Sequence, residues 1–182
     1  MRRTRRWQAA DMRWPGRVSL SAELRSALGL QRGERVLAVA YDPDGRALVA
    51  TDRDLLLQRR PPDYDRIGWD TIDKATYSDG LLRITRVDDT GVSGGGLKIP
   101  LDEPGTFPVV VRDRVTASIV VSQPVTIAEG KAVRVVARRR PDREGLAWGY
   151  VVEPGVDAGD PEVVAAAREA VASVRLEAGI DA

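Results

Sequence analysis

The side chains that most often carry acid–base, thiol or metal chemistry are missing from this 182-residue sequence, which contains neither histidine nor cysteine. The absence of cysteine excludes disulfides, zinc–thiolate sites and thiol nucleophiles. The absence of histidine removes the commonest general base near neutral pH and a frequent metal ligand. A Ser–Lys pair or paired carboxylates would remain, but no spacing in the sequence indicates either. We therefore predict no catalytic residue, no cofactor and no metal site.

Arginine is the residue type that clusters. One cluster is the Arg-Arg-Thr-Arg-Arg motif near the start of the chain, and the other is the segment 138–143, which is predicted to be a hairpin loop. Because guanidinium groups bind phosphates, anionic membranes and carboxylates, both clusters are candidate sites for anion or partner binding, separately or as one surface. The alternative is a solvated loop and an arm without a binding role. The candidate residues are Arg2, Arg3, Arg5, Arg6, Arg138, Arg139, Arg140 and Arg143.

Other groups of residues suggest chemistry that their context does not support. The glycine-rich segment 91–96 is followed by a predicted strand and by no Gly-Lys-Ser/Thr, so a connector is favoured over a phosphate-binding loop. Trp69 and Trp148 are expected to pack in the core rather than clamp a ligand. With 5% aromatic residues, no platform for base stacking is indicated. The acidic residues lack calcium-loop spacing and are predicted to lie in turns and at strand edges: Asp70, Asp73, Asp79, Asp88 and Asp89.

The overall charge is small, but it is unevenly distributed. The net charge is +1, whereas residues 1–17 contain six arginines and one Asp, and residues 150–182 contain seven acidic residues and two arginines. The two ends could attract each other or meet different partners. Arginine greatly exceeds lysine, which indicates a GC-rich bacterial genome. No apolar run reaches the roughly 18–20 residues of a membrane span, and no apolar signal segment follows the first arginines, so we expect a cytoplasmic protein.

The elements that must position these residues are mainly predicted strands. Residues 1–17 are predicted to form a flexible arm, and 18–34 a short helix and an entry segment, with Ser21 as the N-cap of the helix and Gly29 as its stop. Turn residues such as the Asp-Pro-Asp-Gly at 42–45 then divide the chain as far as Pro100 into seven short strands.

One helix is predicted near residues 106–121, although most of its residues are β-branched. The apolar residues Phe107, Val111, Val115 and Ile119 recur every four positions, and the charged residues 112–114 project away from that stripe only in a helix. We expect the helix to end before Pro124, and Val115→Asp to unfold the domain because it buries a carboxylate. Residues 122–182 follow as an extension: a hairpin of 132–137 and 146–152, and a helix capped by Asp160.

Seven short strands followed by a helix resemble the pleckstrin-homology-like (PH-like) fold, especially its small bacterial versions. The similar segments read GERVLAVA, ALVATDRDLLLQ and RIGWDTIDKATYSDGLLRI, with Gly68 where that family has proline. The resemblance implies an α+β, mainly β class: a seven-stranded barrel of two near-orthogonal antiparallel sheets plugged by a helix, over residues 35–121. The phrases RVTASIVVS and VRVVARRR are also similar to segments of actinobacterial proteins of similar length.

The resemblance implies binding rather than catalysis, because this fold includes lipid-binding, peptide-binding and architectural members. Its phosphoinositide readers carry a basic first hairpin loop, whereas the turn at 42–46 is acidic here. We expect a non-enzymatic adaptor that recognises another protein through the open groove beside the helix or through the exposed hairpin edge. The alternatives are a nucleic-acid or ribosome-associated binder that uses both arginine clusters, and a peripheral binder of anionic membranes. Charge reversal of Arg138, Arg139 and Arg140 should weaken either alternative without affecting folding. The oligomeric state is left open.

Overall fold

The computed structural model describes residues 18, 20–60, 62–87, 93–141 and 144–179, without the side chains of 93–95. Its described part is mainly β, with three antiparallel sheets and a few helices, which confirms the predicted class. The helices are α1 (Ala22–Ala27), α2 (Phe107–Ser118) and α3 (Pro161–Ala178), with a 3-10 helix at Trp69–Thr71. The strands are β1 (Val36–Tyr41), β2 (Ala47–Thr51), β3 (Asp54–Gln58), β4 (Tyr64–Gly68), β5 (Ile72–Ser78), β6 (Leu81–Val87), β7 (Ser93–Pro100), β8 (Ile119–Ala128), β9 (Lys131–Arg139) and β10 (Leu146–Val152).

The strands form three separate sheets. The first sheet has the order β1-β2-β3-β4, the second β5-β6-β7 and the third β10-β9-β8, each built of sequential antiparallel neighbours. The seven strands predicted before the helix therefore divide between the first two sheets. An isolated bridge between Tyr41 and Asp102 joins the end of β1 to the segment after β7. The described strands form no closed barrel.

The main core lies between the first two sheets and α2. Phe107, Val111 and Val115, three members of the predicted stripe, are buried in this core together with Val110, so the helix that the spacing predicted is confirmed. Trp69 is fully buried beside them, and its indole N–H donates to the carbonyl of Thr51 at 3.1 Å. A satisfied donor allows this large side chain to be buried without an unpaired polar atom.

The chain after α2 differs from the expectation. The helix ends at Ser118, three residues earlier than predicted, because Ile119 already has extended backbone angles (φ −76°, ψ 120°) and begins β8. Pro124 lies within this strand instead of stopping a helix. It is tolerated because β8 is the outer strand of the third sheet, where one side of the backbone needs no ladder partner.

The prediction that the glycine-rich segment 91–96 is a connector was also partly wrong. Its residues 93–96 belong to β7 rather than to a loop, whereas 88–92 lie outside the described residues. Residues 94 and 96 lie opposite Arg86 and Thr85 of β6, with an irregularity in the register between them. Glycine in a strand often marks such an irregularity, and composition alone does not separate this case from a loop.

The third sheet and α3 form a unit with a second core. Val133, Val135 and Tyr150 of the sheet pack against Ala167 and Val174 of the helix. The predicted cap is confirmed, since the Asp160 carboxylate accepts from the backbone N–H of Glu162 at 2.9 Å. The extension is therefore a three-stranded sheet backed by a helix, rather than a hairpin and a helix.

The predicted helix near Ser21 is confirmed, and its cap is the Ser21 hydroxyl, which accepts from the backbone N–H of Leu24 at 3.1 Å. Leu28 then packs with Val49 and Leu56 on the first sheet. The segment after this helix is held by the buried Glu34.

The contacts of the Glu34 carboxylate make the stability of the fold depend on pH. It accepts hydrogen bonds from the backbone N–H of Gln31 at 2.8 Å and from both terminal guanidinium nitrogens of Arg66 at 3.0 and 3.1 Å. Burial alone would raise the pKa of Glu34, but these hydrogen bonds outweigh it, and the net pKa lies below the ordinary value of 4.5. A lowered folded-state pKa stabilises the fold above about pH 4.5 and loses that contribution as the pH falls further.

We expect Glu34→Gln to be less stable than the parent protein near pH 7. The difference in stability should be smaller at about pH 3.5, because below about pH 4.5 the unfolded parent chain takes up a proton that the folded protein, with its lowered Glu34 pKa, resists. Urea unfolding of both proteins at the two pH values measures this difference. A gap that stays constant across the range would contradict the role given to the charged form of Glu34.

Candidate functional site

The structure does not place the predicted arginine cluster on a free loop. Arg138 and Arg139 belong to β9, so the prediction that they lie in a hairpin loop was wrong. Arg138 is buried, with 2% of its surface exposed, and Arg139 is exposed. The remaining candidates Arg2, Arg3, Arg5, Arg6 and Arg143 lie outside the described residues.

Arg138 joins the third sheet to the rest of the fold. One terminal nitrogen donates to the Ser118 hydroxyl at 3.0 Å, and the other donates to the backbone carbonyl of Asp73 at 3.1 Å and lies 3.4 Å from its carboxylate. Ser118 ends α2 and Asp73 belongs to β5. Burial lowers the pKa of Arg138, while Asp73 and Asp70 oppose that effect. This guanidinium therefore acts within the fold and is not available to an external anion.

Arg140 has a similar role. It pairs with Asp70 at 3.1 Å, and the Asp70 side chain is only 8% exposed. Two of the aspartates predicted at turns and strand edges, Asp70 and Asp73, are thus partners of arginines from the extension. The expectation that charge reversal leaves folding intact does not hold for Arg138, because a carboxylate there would be buried near two others.

The extension also occupies part of the surface that was expected to bind a partner. β5 is an outer strand of the second sheet, and α2 packs beside it. Its edge is where an extended ligand would add, but the guanidinium of Arg138 already bonds the Asp73 carbonyl there. The groove beside α2 is therefore occupied at the start of β5.

A different groove opens between the first and second sheets. It has a volume of about 670 Å³ and is lined by the β1–β2 turn, the end of β3, β4 and the second half of β7. This volume is within the range of roughly 300–1,000 Å³ that is typical of ligand sites.

The floor of the groove is apolar. Leu57, Leu97 and Ile99 are half-buried, line the groove and pack on the main core, while Leu48 and Ile67 are buried beneath them. Leu97 and Ile99 are two positions apart on β7 and therefore share one face. The floor offers a continuous apolar strip rather than a single deep hole.

The rim of the groove is cationic. Among the described residues that line it, two carboxylates, Asp42 and Asp65, face six cationic side chains. The cations are Arg46, Arg59, Arg60, Arg66, Arg86 and Lys98.

Both carboxylates are already paired. Asp42 accepts from the side chain of Arg46 at 2.7 Å, and Asp65 pairs with Arg59. Burial would raise the pKa of Asp42, but hydrogen bonds from the backbone and side chain of Arg46 outweigh it, and the net pKa is lowered. The acidic turn at 42–46 is therefore an internally paired structure.

Three rim cations have no carboxylate partner among the described residues. In the described part of the chain, no carboxylate lies within ion-pair distance of Arg60, Arg86 or Lys98, all of which are exposed, whereas Arg66 is held by Glu34 and Asp54. Cations beside low-dielectric walls focus a positive potential into a cleft. The groove can attract an anionic ligand and hold its apolar parts.

The walls of the groove include two sheet edges. β4 is the outer strand of the first sheet and β7 is the outer strand of the second, so each has a strand neighbour on one side among the described strands. A ligand with backbone amides could pair with such an edge.

Sequence reasoning missed this groove because the three exposed cations on its rim lie far apart along the chain, at 60, 86 and 98. None belongs to a cluster with the other two, and only the pairing of the strands brings them to one opening. The sequence signal that could have indicated it is the alternation of Leu97, Lys98 and Ile99, which predicts a strand with one apolar and one charged face. By contrast, the expected core position of Trp69 is confirmed, and Trp148 packs on the second core.

No helix within the described ranges is long and apolar enough to cross a bilayer. The same ranges contain no group of three or more potential metal-binding side chains close enough to share an ion. Comparisons with models of protein families, with curated proteins and with solved structures found no match to this chain.

Proposed function

We propose that this chain is a non-enzymatic, cytoplasmic binding protein that recognises another protein through a PH-like domain. Support for the PH-like assignment comes from the order of the elements: four strands in one sheet, three in the next, and α2 packed into the core between them. The proposed binding surface is the groove between these two sheets. The extension contacts β5 and has a structural role there.

The observation that carries this proposal is the combination found in the groove: an apolar floor, three exposed cations without carboxylate partners among the described residues, and two strand edges. Each feature matches something that a polypeptide offers, namely apolar side chains, carboxylates and backbone amides. The two described carboxylates that line the groove are paired with arginines, so they hold Arg46 and Arg59 in position on the rim.

A protein partner is favoured over nucleic acid by the placement of the second arginine cluster. Of its described members, Arg138 is buried and Arg140 is paired with Asp70, which leaves Arg139 as the exposed cation without a carboxylate partner in the described part of the chain. Phosphate-backbone binding depends on several such cations acting together.

The test is a crosslinked pull-down from the native host with nuclease-treated protein and a triple variant, Arg60→Glu, Arg86→Glu and Lys98→Glu. We expect the wild type to capture a protein and the triple variant to lose about tenfold or more of that capture, because the rim becomes anionic. The matched control, Arg25→Glu, Arg168→Glu and Arg175→Glu, makes the same change of charge at exposed helical positions and should capture normally.

Capture that is unchanged in the groove variant would overturn the proposal. So would capture that disappears after nuclease treatment, or flotation of the wild type with anionic liposomes in the absence of any protein partner. Loss of capture after nuclease treatment would indicate nucleic acid, and flotation with liposomes would indicate a membrane surface.

A further inference from the structure

Resting on the proposed function, we infer that the groove holds an extended acidic segment of the partner, added as a strand along the outer edge of β7 at residues 97–100. In this arrangement aliphatic side chains of the segment pack on the apolar floor, and the carboxylates that alternate with them face the cationic side. The partner is recognised by an alternation of acidic and aliphatic residues rather than by its overall charge.

The first argument is the two-faced character of β7. Leu97 and Ile99 point to the main core side of the second sheet, and the exposed Lys98 between them points to the other side. Lys98 lies opposite Arg83 of β6, so two cations stand side by side on the outer face. A strand added next to β7 would place its side chains beside the apolar residues on one face and beside the cations on the other. Cross-strand neighbours of opposite charge, or neighbours that are both apolar, stabilise strand pairing.

The second argument is the choice of edge. Within the described residues β7 pairs with β6 alone, and its residues 97–100 line the groove. Unpaired strand edges are the places where extended segments add by main-chain hydrogen bonds. The other wall, β4, is less suited, because Asp65 is already paired with Arg59, and Arg66 with Glu34.

The third argument is charge complementarity, which also selects the occupant. The arginine-rich start of this chain has the same sign as the rim and would be repelled from it. The acidic end of the chain is largely folded into α3, which packs on the third sheet. Neither the arginine-rich start nor the acidic residues of α3 can supply an extended acidic strand, so we assign the occupant to another protein.

The inference is tested with fluorescent eight-residue peptides and the full chain. The first peptide alternates Asp or Glu with Leu or Val, the second has the same composition with its four acids before its four aliphatic residues, and the third has Lys in place of the acids. By fluorescence anisotropy we expect the alternating peptide to bind about tenfold or more tightly than either control, with an affinity that falls as salt is added.

Two variants separate strand addition from general attraction. Lys98→Glu should weaken the alternating acidic peptide by about fivefold or more and strengthen the Lys peptide, because the charge facing the added strand is reversed. Lys74→Glu changes an exposed lysine on β5 of the same sheet, away from the β7 edge, and should leave both affinities nearly unchanged.

N-methylation of every second backbone amide of the alternating peptide, tried in both registers, tests the main-chain hydrogen bonds. It should abolish binding in one register, because that set of N–H groups faces β7.

Several results would overturn the inference. These are equal affinity for the alternating and block peptides, tolerance of N-methylation in both registers, or equal loss with Lys98→Glu and Lys74→Glu. If the triple groove variant loses its protein partner but the alternating peptide neither binds nor displaces that partner, the proposed function stands and the acidic strand does not. If the triple variant keeps its partner, the groove itself is the wrong surface. Tighter binding of a single-stranded oligonucleotide than of any peptide would assign the groove to nucleic acid.

Discussion

Val115→Asp is expected to abolish cooperative folding of the first two sheets, with a loss of about 4–5 kcal/mol or more in the free energy of unfolding. Val115 is 5% exposed and packs in the main core, so the new carboxylate would be buried among apolar side chains. Small domains are stable by roughly 5–15 kcal/mol, and this loss is therefore comparable to the whole stability. Thermal unfolding followed by near-ultraviolet circular dichroism reports on it, because Trp69 lies in the same core.

The matched control is Val109→Asp, the same substitution on the same helix. Val109 is 49% exposed and lies in the first turn of α2, where a carboxylate faces solvent and interacts favourably with the helix dipole. We expect its melting temperature to remain close to that of the parent protein. A Val115→Asp protein that melts cooperatively near the parent temperature would contradict the position assigned to α2.

Arg138→Glu is expected to destabilise the protein by about 3–5 kcal/mol, because it removes a buried cation and adds a carboxylate close to Asp73 and Asp70. The neighbouring exposed Arg139 provides the control, and Arg139→Glu should change stability by about 0.5 kcal/mol or less. Urea unfolding measures both variants. Equal effects of the two substitutions would contradict the role of Arg138 as the link between the extension and the second sheet.

These two substitutions also separate the two parts of the fold. The third sheet and α3 have their own core, which Val115→Asp leaves intact, whereas Arg138→Glu acts on the contact between that unit and β5. If the extension only supports β5, Arg138→Glu should weaken the contact between the extension and β5, while the groove lined by β7 keeps its shape. Partner capture by folded Arg138→Glu protein is then expected to match the wild type.

The sequence by itself determined the features that depend on neighbouring residues. The Asp-Pro-Asp-Gly turn separates β1 from β2, Ser21 and Asp160 cap α1 and α3, and the four-residue spacing of apolar side chains places α2. The mainly β class follows from the same local signals. Turn residues, caps and periodicity suffice because each of these features is decided within one or two turns of the chain.

Only the tertiary structure decided which charged residues are available to a ligand. Arg138 belongs to the most basic segment of the sequence after the start. It is nevertheless buried, because folding brings it against Asp73, which lies 65 residues away in the chain and on another sheet. Similarly, β8 forms where the local pattern predicted the end of a helix, because β9 provides a partner along its whole length.

The groove depends on the same kind of distant contact. Arg60, Arg86 and Lys98 become one rim only through the arrangement of β3, β6 and β7. The two described carboxylates that line the same groove are paired with Arg46 and Arg59. Burial and ion pairing are properties of surfaces that meet after folding, so neither the number nor the order of charges in the sequence reveals them.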